Sequence, residues 1–240
     1  MEPTGAAENL QVIRTLMERS ALYRRAMAPV MLAAGLFGVA GCGLGIALHI
    51  NTLLAFVGFW FVTAALTIAV ALLIIRQQAL RSDEPFWTPP TKRIVRAMTP
   101  ALGVGLLFTL FPLSQVFFST KIHPSEGLLT FLTSLSPSSV EASAIHVPSW
   151  ALLYGLALHS AGLFISRGVR LLGWLFILSC WIIEAAALFN PGGIGRGGSN
   201  LGWLDSNAQM GLTFGLLHLI AAAYLFLTER RGQTTQSSAV

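Results

Sequence analysis

Polar residues along this chain fall in clusters, and six long runs between the clusters are apolar on every side: 27–48, 52–75, 97–118, 148–166, 170–189 and 208–228. A hydrocarbon core about 30 Å thick takes about 20 residues at roughly 1.5 Å each to cross, so each run predicts a transmembrane helix. The pattern therefore predicts an all-α, polytopic membrane protein with a six-helix transmembrane domain over 27–228. Only HIN, 49–51, separates the first two runs, which predicts a tight hairpin.

The segment before the first run has a different period. In ENLQVIRTLMERSALYRRA, residues 8–26, Leu10, Val12, Ile13, Leu16, Met17, Ala21 and Tyr23 share one half of a helical wheel. Arg14, Glu18, Arg19 and Arg25 take the other half. Residues 1–26 thus read as a cytoplasmic amphipathic segment lying on the inner leaflet, with Arg14, Arg19, Arg24 and Arg25 among anionic headgroups. The alternative use of this helix is to dock a cytoplasmic partner. It lacks the long apolar core of a signal peptide.

Charge orients the bundle. Arg14, Arg19, Arg24 and Arg25 precede the first run; Arg76, Arg81, Lys92, Arg93 and Arg96 follow the second; Arg167, Arg170, Arg230 and Arg231 fall on the same side. Only Lys121 and Arg196 of the 15 basic residues lie opposite. Lys and Arg accumulate on the cytoplasmic side, so both termini are expected inside (N-in/C-in) in a cytoplasmic, inner-membrane setting. Residues 229–240 read as a disordered cytoplasmic tail.

Composition fits. Hydrophobic residues make up 54% and charged residues 10% of 240, against roughly 25% charged in soluble proteins. The basic residues form no continuous face, which excludes a nucleic-acid partner. Cys42 and Cys180 sit singly in apolar runs and suit neither a disulfide framework nor a zinc site.

The segment ENLQVIRTLMER resembles the start of a group of bacterial multipass membrane proteins of uncharacterised activity. The likeness extends through the spans, most clearly at SRGVRLLGWLF, 166–176. It implies the membrane class and a bacterial origin, and brings no activity with it.

Several local patterns invite interpretation. Gly41 and Gly45 form a GxxxG pair, which Ala34, Gly38 and Cys42 extend into a small-residue stripe suited to close helix packing or to a second copy of the chain. Pro112 predicts a kink in the third helix. The outer loop 119–147 repeats Leu128, Phe131, Leu132 and Leu135 at helical spacing, and Ser138 with Glu141 fits a capping box, so short helices over the outer face are expected. Six glycines in NPGGIGRGGSNLGWLD, 190–205, lack the GK[ST] and the strand of a phosphate loop and read as flexible backbone. In the inner loop, PFWTPPTK carries interfacial aromatics and prolines expected to stop a helix.

Three ionisable side chains lie within the spans: Glu184, His218 and His159. Counted at about 1.5 Å per residue from the cytoplasmic ends they sit at heights of about 21, 15 and 10 Å. Each costs about 2.5–3.5 kcal/mol at the bilayer centre unless it finds a cavity or partner. A proton- or cation-coupled carrier could use them as a ladder. Two histidines could hold a haem or a metal, although their stagger argues against one haem plane and no metal-ligand spacing is present. A membrane enzyme would need a nucleophile or metal motif that is missing, so no catalytic residue and no cofactor is implied. The plainer reading makes Glu184 a packing contact, hydrogen-bonded to a neighbouring helix or reaching toward the outer headgroups. A small accessory, sensory or scaffolding membrane component agrees with all of this, its partners being the bilayer and either a second copy or another membrane or cytoplasmic protein.

Overall fold

In the computed structural model, residues 27–50, 52–81, 89–119, 139–189 and 205–237 are described, and every regular element among them is helical. The helices are α1 (Met27–Ala47), α2 (Leu53–Arg81), α3 (Pro89–Ser119), α4 (Ser139–Gly162), α5 (Arg167–Phe189) and α6. The last runs as α-helix over Ser206–Met210, as π-helix over Gly211–Leu216 and as α-helix again over Leu217–Ser237. The N-terminal amphipathic segment with Arg14, Arg19, Arg24 and Arg25, the outer loop up to Ser138 and the glycine-rich loop 190–204 lie outside the described residues.

Five helices are long and apolar enough to cross a membrane: Met27–Ala47, Leu53–Arg81, Thr91–Leu110, Arg167–Ala186 and Ser206–Thr228. The helix at the fourth expected span is not among them. It carries His146, Ser149, Tyr154, His159 and Ser160, which lower its hydropathy. Its surroundings explain why it tolerates them: α4 packs mainly along α5 and α3 and also touches α2 and α6. A helix enclosed by others needs partners for its polar groups more than it needs an apolar surface.

Helix limits depart from the apolar runs mostly where polar residues continue a helix that the apolar run has already begun. Propagation adds a hydrogen bond for each residue fixed, so α2 continues to Arg81 and α6 to Ser237, into residues expected as loop and tail. Pro89 and Pro90 open α3 instead of blocking it, because the first turn of a helix has no use for their missing N–H groups. Pro112 falls within α3, which continues across it. Pro148 likewise lies inside α4, which starts at Ser139, so residues expected at the end of the outer loop belong to the helix.

The α1–α2 hairpin closes as expected and by a definite device. His49 takes φ 51°, its N–H reaches the carbonyl of Ile46 at 3.1 Å, and the N–H of Ile50 reaches Gly45 at 3.0 Å. These two bonds make a Schellman cap, with histidine in the left-handed position that usually holds glycine. Thr52 then caps α2, its Oγ1 accepting from the N–H of Ala55 at 3.3 Å.

Two apolar clusters fill the bundle. One joins Met31 of α1 to Leu158 of α4, Leu172 and Phe176 of α5 and Ala222 and Leu225 of α6. The other joins Leu53, Phe56, Val57 and Trp60 of α2 to Val147 of α4 and Met210 of α6. Beyond Trp60, α2 has no further buried residue and presents Val62, Leu66, Leu72 and Leu73 outward.

The small-residue stripe of α1 is used within the chain. A Cβ on Gly38 would stand 2.6 Å from the Cα of Gly215, and one on Gly211 would stand 2.6 Å from the side chain of Cys42. Gly45 lies against Asn207, where a Cβ would come within 2.5 Å of Oδ1, and Gly41 lies against Trp60 and Thr63. Ala34 is half-buried on the same helix. Gly211 and Gly215, themselves a GxxxG pair, are thus the counterpart of Gly38 and Cys42: the backbones meet at Gly38 and Gly215, and the Cys42 side chain lies on Gly211.

Candidate functional site

The most buried acidic or basic side chain among the described spans is His218, 2% exposed, two residues after the π segment of α6. Its Nδ1 lies 2.7 Å from the carbonyl oxygen of Phe214, and its Nε2 lies 3.0 Å from the hydroxyl of Tyr154 on α4. A carbonyl oxygen can only accept, so Nδ1 carries the proton and Nε2 accepts from the Tyr154 hydroxyl. Both ring nitrogens are satisfied.

Two phenylalanine rings pack on this pair. Phe176 lies 5.3 Å from the His218 ring and 5.0 Å from Tyr154, while Phe214 lies 5.3 Å from Tyr154 and 5.0 Å from Phe176. The cage draws one ring or more from each of α4, α5 and α6. The close approach that makes this possible comes from glycine: Gly155 faces the carbonyl of Gly173, and a Cβ on Gly173 would stand 2.5 Å from the backbone nitrogen of His159.

The π segment brings side chains onto backbone carbonyls. Thr213 Oγ1 donates to Gln209 at 2.8 Å, and His218 donates to Phe214. The same bond to the carbonyl four residues back recurs in regular helix at Thr63, Thr67, Thr109 and Thr228.

Two further polar anchors tie the helices together. Asn207, fully buried, accepts at Oδ1 from Trp60 Nε1 at 3.1 Å and donates from Nδ2 to the carbonyl of Ile50 at 3.1 Å and to Asp205 at 3.2 Å. It joins the start of α6 to α2 and to the hairpin turn. On the other flank, Trp150 Nε1 donates to Thr109 Oγ1 at 2.8 Å, joining α4 to α3, and the Thr109 hydroxyl donates in turn to the carbonyl of Gly105.

His159 and Glu184 stand elsewhere. His159 is half-buried with its ring 5.3 Å from Trp174, edge to face, and its buried Nδ1 has no hydrogen-bond partner among the described residues. Glu184 is exposed on α5, one turn from Trp181. Among the described residues, no hydrogen bond, ion pair or ring contact joins any two of Glu184, His218 and His159. No group of three or more His, Cys, Asp or Glu side chains suited to a metal ion occurs among the described residues either.

Sequence reasoning missed Tyr154, Asn207 and the Gly211–Gly215 face. Each had a signal. Tyr154 is the one tyrosine in the middle of a span, where a buried hydroxyl calls for a partner. Asn207 stands at the mouth of the sixth apolar run, and Gly211 with Gly215 repeats the four-residue spacing already visible in α1. Comparison of the chain with family models, characterised proteins and solved structures gives no match.

Proposed function

We propose that the protein is an accessory or scaffolding component of a bacterial inner membrane, a six-helix bundle that holds its form and presents its surfaces to a partner. The observation that carries this reading is the treatment of its ionisable groups. His218 is held by two hydrogen bonds inside an aromatic cage, and Glu184 faces away from it on the outside of α5. A carrier would need those groups to line one route across the bundle.

In this reading α4 crosses as the sixth span. Its 24 residues extend about 36 Å at 1.5 Å each, enough for a core of about 30 Å. Six crossings put both termini on one side, and the basic loops put that side in the cytoplasm. The N-terminal segment then rests its arginines on the inner leaflet, supplying a second attachment to the membrane or a contact for a cytoplasmic protein. Because the Gly38–Cys42 stripe is spent on α6, a second copy would have to engage another face.

Proteoliposomes test the functional claim. Under an imposed proton or cation gradient, the wild-type chain is expected to carry no flux above empty vesicles, and its visible spectrum to show no haem band. Flux that vanishes in Glu184→Gln would sink the accessory reading. Orientation is tested in a Cys42→Ala, Cys180→Ala background. Pro85→Cys and Gln233→Cys should react only with reagent supplied from the cytoplasmic side, and His123→Cys and Ser199→Cys only from outside.

A further inference from the structure

The seam between α1 and α6 runs at a different step on each helix. On α1 the contacts fall at Gly35, Gly38, Cys42 and Gly45, three, four and three residues apart. Their counterparts on α6 are Leu219, Gly215, Gly211 and Asn207, each four apart. A Cβ on Gly35 would stand 2.6 Å from the side chain of Leu219, which completes the series. From Gly35 to Gly45 α1 advances ten residues, while α6 spends twelve between Asn207 and Leu219 on the same length.

Regular α-helix cannot hold that spacing on one face. Each residue turns about 100°, so a step of four overshoots by about 40° and three such steps by about 120°, enough to carry Asn207 off the seam. A π turn bonds to the fifth residue back instead of the fourth and so takes in one residue more, which cancels about 100° of that overshoot. The π segment, Gly211–Leu216, occupies the middle of the series. It also sets the direction of two polar anchors. Asn207 and His218 are eleven residues apart, and a regular helix would aim them within about 20° of each other. They meet different neighbours instead, Asn207 the Trp60 indole on α2 and His218 the Tyr154 hydroxyl on α4.

We propose that this π turn is a conformational switch worked by α1. The π form is rare in helices, and here contact with α1 holds the surplus residue in it. Drawing α1 away lets α6 close to continuous α-helix, which turns the outer end carrying Asn207 by about 100° relative to His218. Asn207 then leaves Trp60 and the carbonyl of Ile50, and the α1–α2 hairpin loses its tie to α6. The inner end keeps its place, because His218 bonds Phe214 four residues back, as regular helix permits, and Ala222 and Leu225 are buried in the core shared with α4 and α5.

Single deletions in the full chain, purified in mixed micelles, test it. Removing Leu212, an exposed residue of the π segment, leaves a plain α-helix whose contacts with α1 still line up, so stability should stay at the wild-type value or rise. Removing Ile220, equally exposed but beyond the segment, displaces Ala222 and Leu225 and should raise the unfolding constant at least about tenfold. The switch itself is read at the Trp60 indole N–H by nitrogen–proton correlation NMR, with Trp60→Phe giving the assignment. Gly38→Ala places a Cβ 2.6 Å from the Cα of Gly215 and pushes α1 off, so that resonance should shift and exchange faster with solvent. Removing Leu212 from the Gly38→Ala chain should return it to the wild-type position, because α6 then keeps its register without a π turn. Equal damage from the two deletions would overturn the proposal, as would a Trp60 resonance that Gly38→Ala leaves unmoved. A resonance displaced by Gly38→Ala and not restored by loss of Leu212 would overturn it too, since the tie would then have failed for another reason.

Discussion

The interior between α4, α5 and α6 and the outer flank of α5 each hold an ionisable group, and the bundle treats the two in opposite ways. Around His218, every polar atom has a counterpart on the backbone or on another helix, and aromatic rings seal the site. Around Glu184, on a helix that also walls the His218 site, no described residue gives the carboxyl a hydrogen bond or ion pair. The difference lies in which side of α5 each group meets: Phe176 faces the cage, and Glu184 sits more than two turns further along and to one side. Intramembrane polarity therefore serves two ends here. Inside, it ties helices together; outside, it meets no counterpart among the described residues.

The contrast can be attacked from its strong side first. Asn207→Leu leaves the Trp60 N–H and the Ile50 carbonyl unpaired and forces branched bulk against Gly45, so a loss of about 3 kcal/mol or more is expected in equilibrium unfolding in mixed micelles. A smaller loss, about 2 kcal/mol, should follow His218→Leu, which strands the Tyr154 hydroxyl among rings. Tyr154→Phe keeps the ring contacts and removes one hydrogen bond. About 1 kcal/mol is expected there, in line with interhelical bonds measured in lipid. At the weak end, Glu184→Gln should stay within about 0.5 kcal/mol of wild type, as surface changes generally do. If Glu184→Gln proved as costly as His218→Leu, the division between inside and outside would fail.

How much of this was legible in the sequence depends on what each feature needs from its surroundings. Apolar runs need only length, so the positions of α1, α2, α3, α5 and α6 were readable, and HIN marked the hairpin. The start of α4 was not, because Pro148 reads as a boundary. Enclosure by α3 and α5 is a property of the whole bundle and cannot be seen from one helix. The stripe of α1 was legible, but its mate on α6 was concealed by the π segment, for which GLTFGL gives no signal. Expected heights of the intramembrane groups followed from counting residues. Their directions did not: a wheel gives the angle between Glu184 and Phe176 but not which of them faces the core.

The central claim is that His218 and Glu184 belong to separate places, one structural and one presented outward. A double-mutant cycle on stability tests this most directly, using Glu184→Gln, His218→Leu and the two together. The account predicts that the separate effects add to within about 0.5 kcal/mol, as uncoupled sites do. A coupling of more than about 1 kcal/mol would show the two groups acting as one network and would contradict it.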